Sequence, residues 1–291
     1  MGIPRQQAYG LYRRKIGDLV VTVIVDGSET FSFDIFSANI TTDEAKNLLV
    51  AANLPPIPRM PVNAYLVQDG ERTILIDGGD ANCMGTGGRL HDALTAAHIQ
   101  ASAIDTILLT HAHPDHVGGL ASPNGSPLFP NAELVLHPNE LSFWKNEENF
   151  RRAPHLNDVR NVACNTFNAY RSALRTATGG QVVPGITMQP LPGHTPGHSG
   201  YLIQSGNEGV LIWGDIVHWP DIQIPRPDVT LTFDIAPSQM IETRKSLLQQ
   251  VASDNILVGG MHLNFPGFIH IYNDRGAYAV REERWLPDLE H

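Results

Sequence analysis

The chain has 291 residues, 42% of them hydrophobic, enough to bury a substantial core in one large domain or two small ones. Its 30 acidic residues outweigh 20 basic ones, for a formal net charge of −10, which argues against a broad nucleic-acid surface because such surfaces need clustered Lys and Arg. No run of about 18 apolar residues predicts a membrane span, and Met1 to Gln7 lack the apolar core of a secretory signal, so cytoplasmic residence is the expectation. Cys83 and Cys164 are the sole cysteines, and two so far apart predict free thiols rather than a disulfide framework.

Leu19 to Val25 is apolar and β-branched, and Asp26-Gly27 predicts a turn that closes this strand. Phe31, Phe33 and Phe36 follow as a cluster with two readings: edge packing, or an apolar wall at a pocket or at a subunit contact in a homodimer. Thr42 to Asn53 predicts a helix, with Thr42 as N-cap and acids in its first turn. Leu54-Pro55-Pro56-Ile57-Pro58 ends it in a stiff connection. Val62–Val67 and Thr73–Ile76 predict paired strands with Asp69-Gly70 as their turn. Gly85, Gly87 and Gly88 precede a helix at Arg89–His98. Their spacing is no nucleotide fingerprint, so this segment reads as a flexible loop near the site, in which Met84 is a candidate substrate contact.

Ile104 to Leu109 predicts a buried strand. It delivers the chain to Thr110-His111-Ala112-His113-Pro114-Asp115-His116, with three histidines and an aspartate inside six positions. Imidazole and carboxylate together suit zinc and similar divalent metals. His111 and His113 are two apart and point the same way on extended backbone. Pro114 then redirects the chain before Asp115 and His116, so the pattern predicts two ligand pairs facing two neighbouring metals.

Beyond this loop, Glu133–Leu136 predicts a strand and Pro138–Asn149 a helix carrying Phe143 and Trp144. Residues 151–180 are partly helical in pattern. Met188–Leu191, Tyr201–Gln204 and Val210–Trp213 predict strands, Pro237–Ala252 a helix, and Ile256–Val258, Phe268–Tyr272 and Ala277–Val280 the last strands. Candidate ligands recur just past strand ends, and strand pairs followed by helices occur in both halves. The expected class is therefore α/β (α+β), two mixed β-sheets packed together with outer helices, in a single domain over residues 1–291.

The motif His111-x-His113-x-Asp115-His116, followed by Gly193-His194, Gly214-Asp215 and Gly260-Met261-His262, resembles the signature of the metallo-β-lactamase-fold hydrolases over most of the chain. Phe129-Pro130-Asn131-Ala132, Phe143-Trp144, Gly193 to His198 and His262 to Gly267 resemble the methyl parathion hydrolase and lactonase-like branch. The resemblance implies a four-layer αββα sandwich, with residues 151–180 as an insertion covering the active-site mouth. It also implies that His111, His113 and His194 hold one metal, that Asp115, His116 and His262 hold the second, and that Asp215 bridges them. Asp77, in an Asp-x-Gly stretch, would brace the ligand loop. The same donors accept zinc, and also manganese, iron or cobalt.

In this reading a hydroxide shared by two metals attacks a small ester or lactone, with organophosphate triester hydrolysis as a further activity. Asp115 would also orient the nucleophile or accept its proton. His218 stands where many lactonases of the family carry a tyrosine and is a candidate catalytic residue. His198 reads as a structural loop histidine, and His270 as a core residue or one that backs a ligand. Trp144, Phe31 and Met84 are candidates for an apolar substrate wall. The partner is then a small ester, lactone or phosphotriester, with neither nucleic acid nor membrane. The alternatives are a glyoxalase II-like thioester hydrolase, for which residues 273–290 offer few basic groups, and a non-enzymatic, metal-stabilised binding protein.

Overall fold

A computed structural model describes residue 3 and residues 7–82 and 87–289. The N-terminal half begins with a hairpin, β1 (Leu11–Ile16) and β2 (Leu19–Thr30), followed by the short β3 (Phe36–Ala38) and helix α1 (Thr42–Ala51). Strands β4 (Arg59–Gln68) and β5 (Thr73–Ile76), helix α2 (Leu90–Ala96), strand β6 (Thr106–Leu108) and the single turn α3 (Pro114–Val117) come next. Strand β7 (Glu133–Leu136), helices α4 (Pro138–Lys145) and α5 (Asn157–Ala169), and strand β8 (Leu174–Thr176) complete the half. The C-terminal half runs β9 (Gly180–Val183), β10 (Ile186–Pro190), β11 (Ser199–Ser205), β12 (Glu208–Ile212), α6 (Pro220–Gln223) and β13 (Thr230–Leu231). Helix α7 (Pro237–Ser253) and strands β14 (Leu257–Gly259), β15 (Phe268–Asp274) and β16 (Ala277–Glu282) close it.

Two seven-stranded mixed sheets result, ordered β1-β2-β4-β5-β6-β7-β8 and β16-β15-β14-β12-β11-β10-β9. Alternation along each strand divides its side chains between two cores. Ile74, Ile76 and Leu108 point to the inter-sheet core with Ile186, Tyr201, Val210 and Ile212. Leu75, Ile107 and Leu134 point outward, under Leu90, Leu94 and Phe167 of the outer helices. On the far side Leu211, Val258 and Ile269 are covered by Met240, Leu247 and Leu248 of α7. The four layers form an αββα sandwich, the architecture that the resemblance implies. No helix among the described residues is long and apolar enough to cross a membrane.

Several local expectations change. Asp26-Gly27 is not a turn: β2 runs through it, with the register against β4 slipping between Val25 and Gly27. The Asp26 carboxylate is turned inward and accepts hydrogen bonds from the backbone N–H groups of Asp80 (2.8 Å), Gly88 (2.9 Å) and Leu90 (2.7 Å), so it holds the entrance to α2. The N-cap of α1 is Thr41 rather than Thr42, in a reciprocal capping box with Glu44. Residues 151–180 include the core-packed part of α5 and the edge strand β8, which pairs in parallel with β7.

Candidate metal centre

The centre forms where the C-terminal ends of β6 and β12 and the ends of β10 and β14 deliver four loops to one edge of the sandwich. In the first loop Pro114 restricts His113 to extended backbone (φ −69°, ψ 156°), which lets α3 start at once. His111 Nε2 and His113 Nδ1 consequently lie 3.0 Å apart. Asp115 and His116, carried on α3, face a different direction. The loop is clamped from below by the 77–79 segment: Gly78 N–H donates to His116 O (2.7 Å) and Gly119 N–H to Gly79 O (3.2 Å). The fit is so close that a Cβ on Gly119 would stand 2.0 Å from Gly78 O.

His194 Nε2 reaches 2.9 Å from His113 Nδ1, which completes a three-nitrogen cluster. Asp215 Oδ2 then lies 3.4 Å from His194 Nε2, 3.6 Å from His111 Nε2, 3.3 Å from His116 Nε2 and 3.1 Å from His262 Nε2. Asp115 Oδ2 is 3.5 Å from both His116 Nε2 and His262 Nε2. Two buried clusters follow, His111–His113–His194–Asp215 and Asp115–His116–Asp215–His262, sharing Asp215. All seven residues expected as ligands are thus brought together.

The donors fit a pair of divalent ions. Tetrahedral zinc with nitrogen donors at about 2.0–2.1 Å has ligand–ligand edges of roughly 3.3 Å, close to the separations above. His116 Nε2 and Asp215 Oδ1 are buried without a hydrogen-bond partner, which two polar atoms aimed at a cation site would be. The outer ring nitrogens are held. Asp77 Oδ2 lies 2.6 Å from His116 Nδ1, and the same carboxylate accepts from Thr110 N–H (2.7 Å) and Thr110 Oγ1 (2.6 Å). Asp234 Oδ1 lies 2.9 Å from His194 Nδ1, and His262 Nδ1 donates to Pro61 O (2.8 Å). Such partners fix the ring that presents the other nitrogen inward.

Electrostatics separate the two clusters. Burial, then crowding by neighbouring imidazoles, lowers His111 and His113 well below the usual histidine range. Burial pushes His116 the same way, but Asp215, Asp115 and Asp77 outweigh it and raise that ring well above the range. Burial would raise the Asp215 carboxyl; the imidazoles of His116, His262, His218 and His111 overcome it and hold the group ionised.

The remaining expected residues fall into distinct places. His198 is fully buried: its Nδ1–H donates to Leu191 O (2.8 Å) and its Nε2 accepts from Asp215 N–H (2.8 Å), so it positions the backbone of the shared carboxylate. His218 is also buried, with Nε2 3.0 Å from Asp215 Oδ2, and its Nδ1 lacks a partner. Burial pushes His218 down to about 4. A cavity of about 330 Å³ opens onto both clusters and is walled by Phe31, Met60, Leu156, Val159, Val162 and Phe233, with His113, Asp115, Asp215 and His218 at its floor. The start of α5, inside the expected covering segment, therefore faces the site. Trp144 is not in this wall. It is fully buried, stacked on Phe150 (5.4 Å) behind the edge of His113 (5.5 Å), because its indole N–H is drawn to Glu140 Oε1 (2.6 Å). Met84 and Cys83 lie outside the described residues; Cys164 is a free, half-buried thiol. His270 is half-buried in β15 and joins neither cluster.

Two acids escaped the sequence reading. Glu140, fully buried on α4, accepts from Ala112 N–H (2.9 Å), Thr195 Oγ1 (2.6 Å), Gly197 N–H (3.1 Å) and the Trp144 indole, so one carboxylate ties the first ligand loop to the His194 loop. A lone Glu in the first turn of a helix ordinarily reads as a compensator of the helix dipole. Asp234, the partner of His194, sits in no motif at all.

The Metallo-beta-lactamase superfamily model matches residues 57–260. The hydrolase AbOPH superposes with a TM-score of 0.89 at 30% identity, covering 97% of this chain and 100% of that one. AidC, described as a dizinc quorum-quenching lactonase in complex with a product, N-hexanoyl-L-homoserine, superposes with a TM-score of 0.90 at 27% identity over the same shares. The protein YobT of Bacillus subtilis is 28% identical over 155 residues, 53% of this chain and 61% of YobT, so the chain spans less than two thirds of that relative. The chain belongs to the metallo-beta-lactamase superfamily, and its paired His/Asp clusters have the donors of a binuclear metal site.

Proposed function

We propose that this superfamily member hydrolyses small neutral esters or lactones, with neutral phosphotriesters as further substrates. The observation that carries the reading is the character of the cavity over the two clusters. Its wall is made of Phe31, Met60, Leu156, Val159, Val162 and Phe233, and among the described residues no Lys or Arg lines it. The carboxylates of a substrate such as the glutathione thioester of a glyoxalase II-type enzyme, held away from the metals, would find no cationic side chain among the described wall residues and would meet Asp158 at the rim. A neutral substrate would bury an apolar arm and present its polar oxygen to the floor. The likeness to AidC and AbOPH over nearly the whole chain supports the same choice.

His111, His113 and His194 would hold one ion, Asp115, His116 and His262 the other, and Asp215 both. When bound, zinc, or manganese, iron or cobalt in its place, supplies Lewis acidity and lowers the pKa of water towards about 7. The chain's own residues do the rest. Asp115 reaches the cavity floor as well as the second cluster and is placed to accept the proton of the attacking water. Burial keeps His218 neutral near pH 7, so one ring nitrogen carries a proton that can be offered to the substrate carbonyl or phosphoryl oxygen. The apolar walls exclude bulk water from the reacting carbon or phosphorus.

The test is a panel under one metal: an acyl-substituted γ-lactone, a neutral aryl ester, diethyl 4-nitrophenyl phosphate and an S-acylglutathione. Turnover of the neutral substrates should be abolished by chelator and restored by Zn or Mn. A preference of about tenfold or more for the glutathione thioester, or chelator-insensitive turnover, would overturn the reading.

A further inference from the structure

His218 is held differently from the histidines of the two clusters. His116, His194 and His262 each have the outer ring nitrogen fixed, by Asp77, by Asp234 and by Pro61 O. His218 Nδ1 has no such partner among the described residues, although the ring is buried. Its neighbours are ring faces: His262 (4.9 Å, 14° between planes), Phe233 (5.1 Å) and Trp219 (6.0 Å). Stacking sets the plane of the imidazole but aims neither nitrogen. The direction of the ring nitrogens therefore comes from the backbone at residue 218.

Two buried side chains fix that backbone. Pro220 starts the single turn α6, and Gln223 at its end reaches back: its Oε1 accepts from His218 N–H (2.7 Å) and from Trp219 N–H (3.1 Å). The amide is held that way round because its Nε2 donates to Val229 O (3.4 Å). Val229 O also accepts from Arg244 Nη1 (2.6 Å), which reaches Pro227 O as well (3.1 Å), while Arg244 Nε donates to Ile216 O (2.6 Å). One guanidinium on α7 thus pins both ends of the 216–229 excursion, and Gln223 pins its bend. Arg244 is fully buried, and its Nη2 has no partner among the described residues. A buried charge is a costly way to fill space, since an apolar side chain of similar volume often packs as well or better. What the guanidinium adds is geometry, a rigid fork laid on carbonyls from both ends of the loop.

We infer that Gln223 and Arg244 are positioning residues that aim the His218 imidazole at the cavity floor. This rests on the role of His218 as proton donor in the ester and lactone reading above. A misplacement of about 1 Å at such a group can cost about 100-fold in rate, so the loop that carries it has to be held on both sides.

Gln223→Leu removes the acceptor at nearly constant volume. It should lower kcat for a neutral aryl ester about tenfold, with KM within about twofold and metal content as in the wild type. Gln223→Glu, which keeps an acceptor oxygen, should recover most of that loss. Arg244→Met should resemble Gln223→Leu; where it fails to fold, the Gln223 pair decides alone. A general loosening of the fold would lower turnover whatever stands at position 218, so the His218→Ala background separates the cases: there Gln223→Leu should cost less than about twofold. Crystal structures give a readout apart from activity. In Gln223→Leu the His218 ring should shift on His262 by about 1 Å or occupy more than one position, and Gln223→Glu should restore it. An undiminished loss in the His218→Ala background, or a ring that keeps its place in Gln223→Leu, would overturn the inference. If the wild type cleaves no ester, the hydrolase reading fails by itself, and the position of the ring still decides whether Gln223 aims it.

Discussion

His111, His113 and His194 form an all-imidazole set, whereas Asp115, His116 and His262 mix a carboxylate with two imidazoles. Their supports differ too. The first set leans on Asp234 behind His194 and on Glu140 behind the backbone at Ala112 and Gly197. The second leans on Asp77 behind His116 and on Pro61 O behind His262. The nitrogen-rich set favours zinc, and the set with two carboxylates, counting the shared one, better tolerates a harder ion such as manganese. Asp215 is the side chain common to both clusters, while the loop from His111 to His116 supplies separate donors to each, so most side-chain lesions should drain one half-site and few should drain both.

The largest effect should come from removing the shared group. Asp215→Asn deletes the charge that faces imidazoles of both sets, and metal content should fall below one ion per chain. Turnover should drop by more than the roughly 10–100-fold that loss of an outer partner costs. His198→Ala, which removes the hydrogen bonds to Asp215 N–H and Leu191 O but none of the seven expected metal donors, should lose far less. Equal losses in the two variants, with metal content intact in both, would break the idea of a single joint.

Next in size are the outer carboxylates. Asp234→Asn should weaken metal binding at the all-imidazole set by roughly 10–100-fold and leave the other set alone; Asp77→Asn should do the opposite. Chelator competition on protein loaded with zinc and manganese reads this as loss of one ion in each variant, and of different ions. Parallel weakening of both ions in both variants would mean that the half-sites are coupled beyond Asp215.

Glu140 sharpens the comparison at a lower level. Its carboxylate gathers four donors, three of them from two ligand loops, and Glu140→Gln keeps one acceptor oxygen but leaves buried donors unsatisfied, at about 1–3 kcal/mol. Thermal or denaturant unfolding of the metal-free protein should register that loss, with a smaller change than in Glu140→Ala. Unchanged stability in both would show that the brace is unimportant to the fold.

The seven donors were unequally legible from the sequence. His111, His113, Asp115 and His116 lie in one loop, so spacing announces them, whereas His194, Asp215 and His262 were expected from the family resemblance. The layers follow from strand–helix order. Groups that act across the fold were not legible. Glu140 is 28 positions from Ala112 and 55 from Thr195, partners that it meets only when α4 packs under both loops. Asp26 beside Gly27 carries turn chemistry locally, yet its side chain is claimed by backbone N–H groups 54 to 64 positions away. Trp144 beside Phe143 reads as an aromatic wall until Glu140, four residues earlier on the same helix, draws the indole into the core.

The smallest expected effect lies outside both ligand sets, in the cavity wall. Phe31 is half-buried, faces the cavity and packs on Trp219 and Phe233 without touching either cluster's supports. Phe31→Ala removes apolar contact worth on the order of 1 kcal/mol to a bulky substrate, a factor of about five in binding. If that contact is equally strong before and during bond breaking, the loss falls on KM and spares kcat. A small aliphatic lactone should lose less than an aryl ester, and metal content should stay as in the wild type. Trp144→Ala is the contrasting variant, since truncating a core Trp costs about 3–5 kcal/mol of stability and should depress turnover of all substrates alike. Steady-state kinetics on the two substrates, beside a melting curve for each variant, separate the cases. A uniform loss with a lowered Tm in Phe31→Ala would move Phe31 from the substrate wall to the structural core, leaving Phe233 and the start of α5 to set substrate choice.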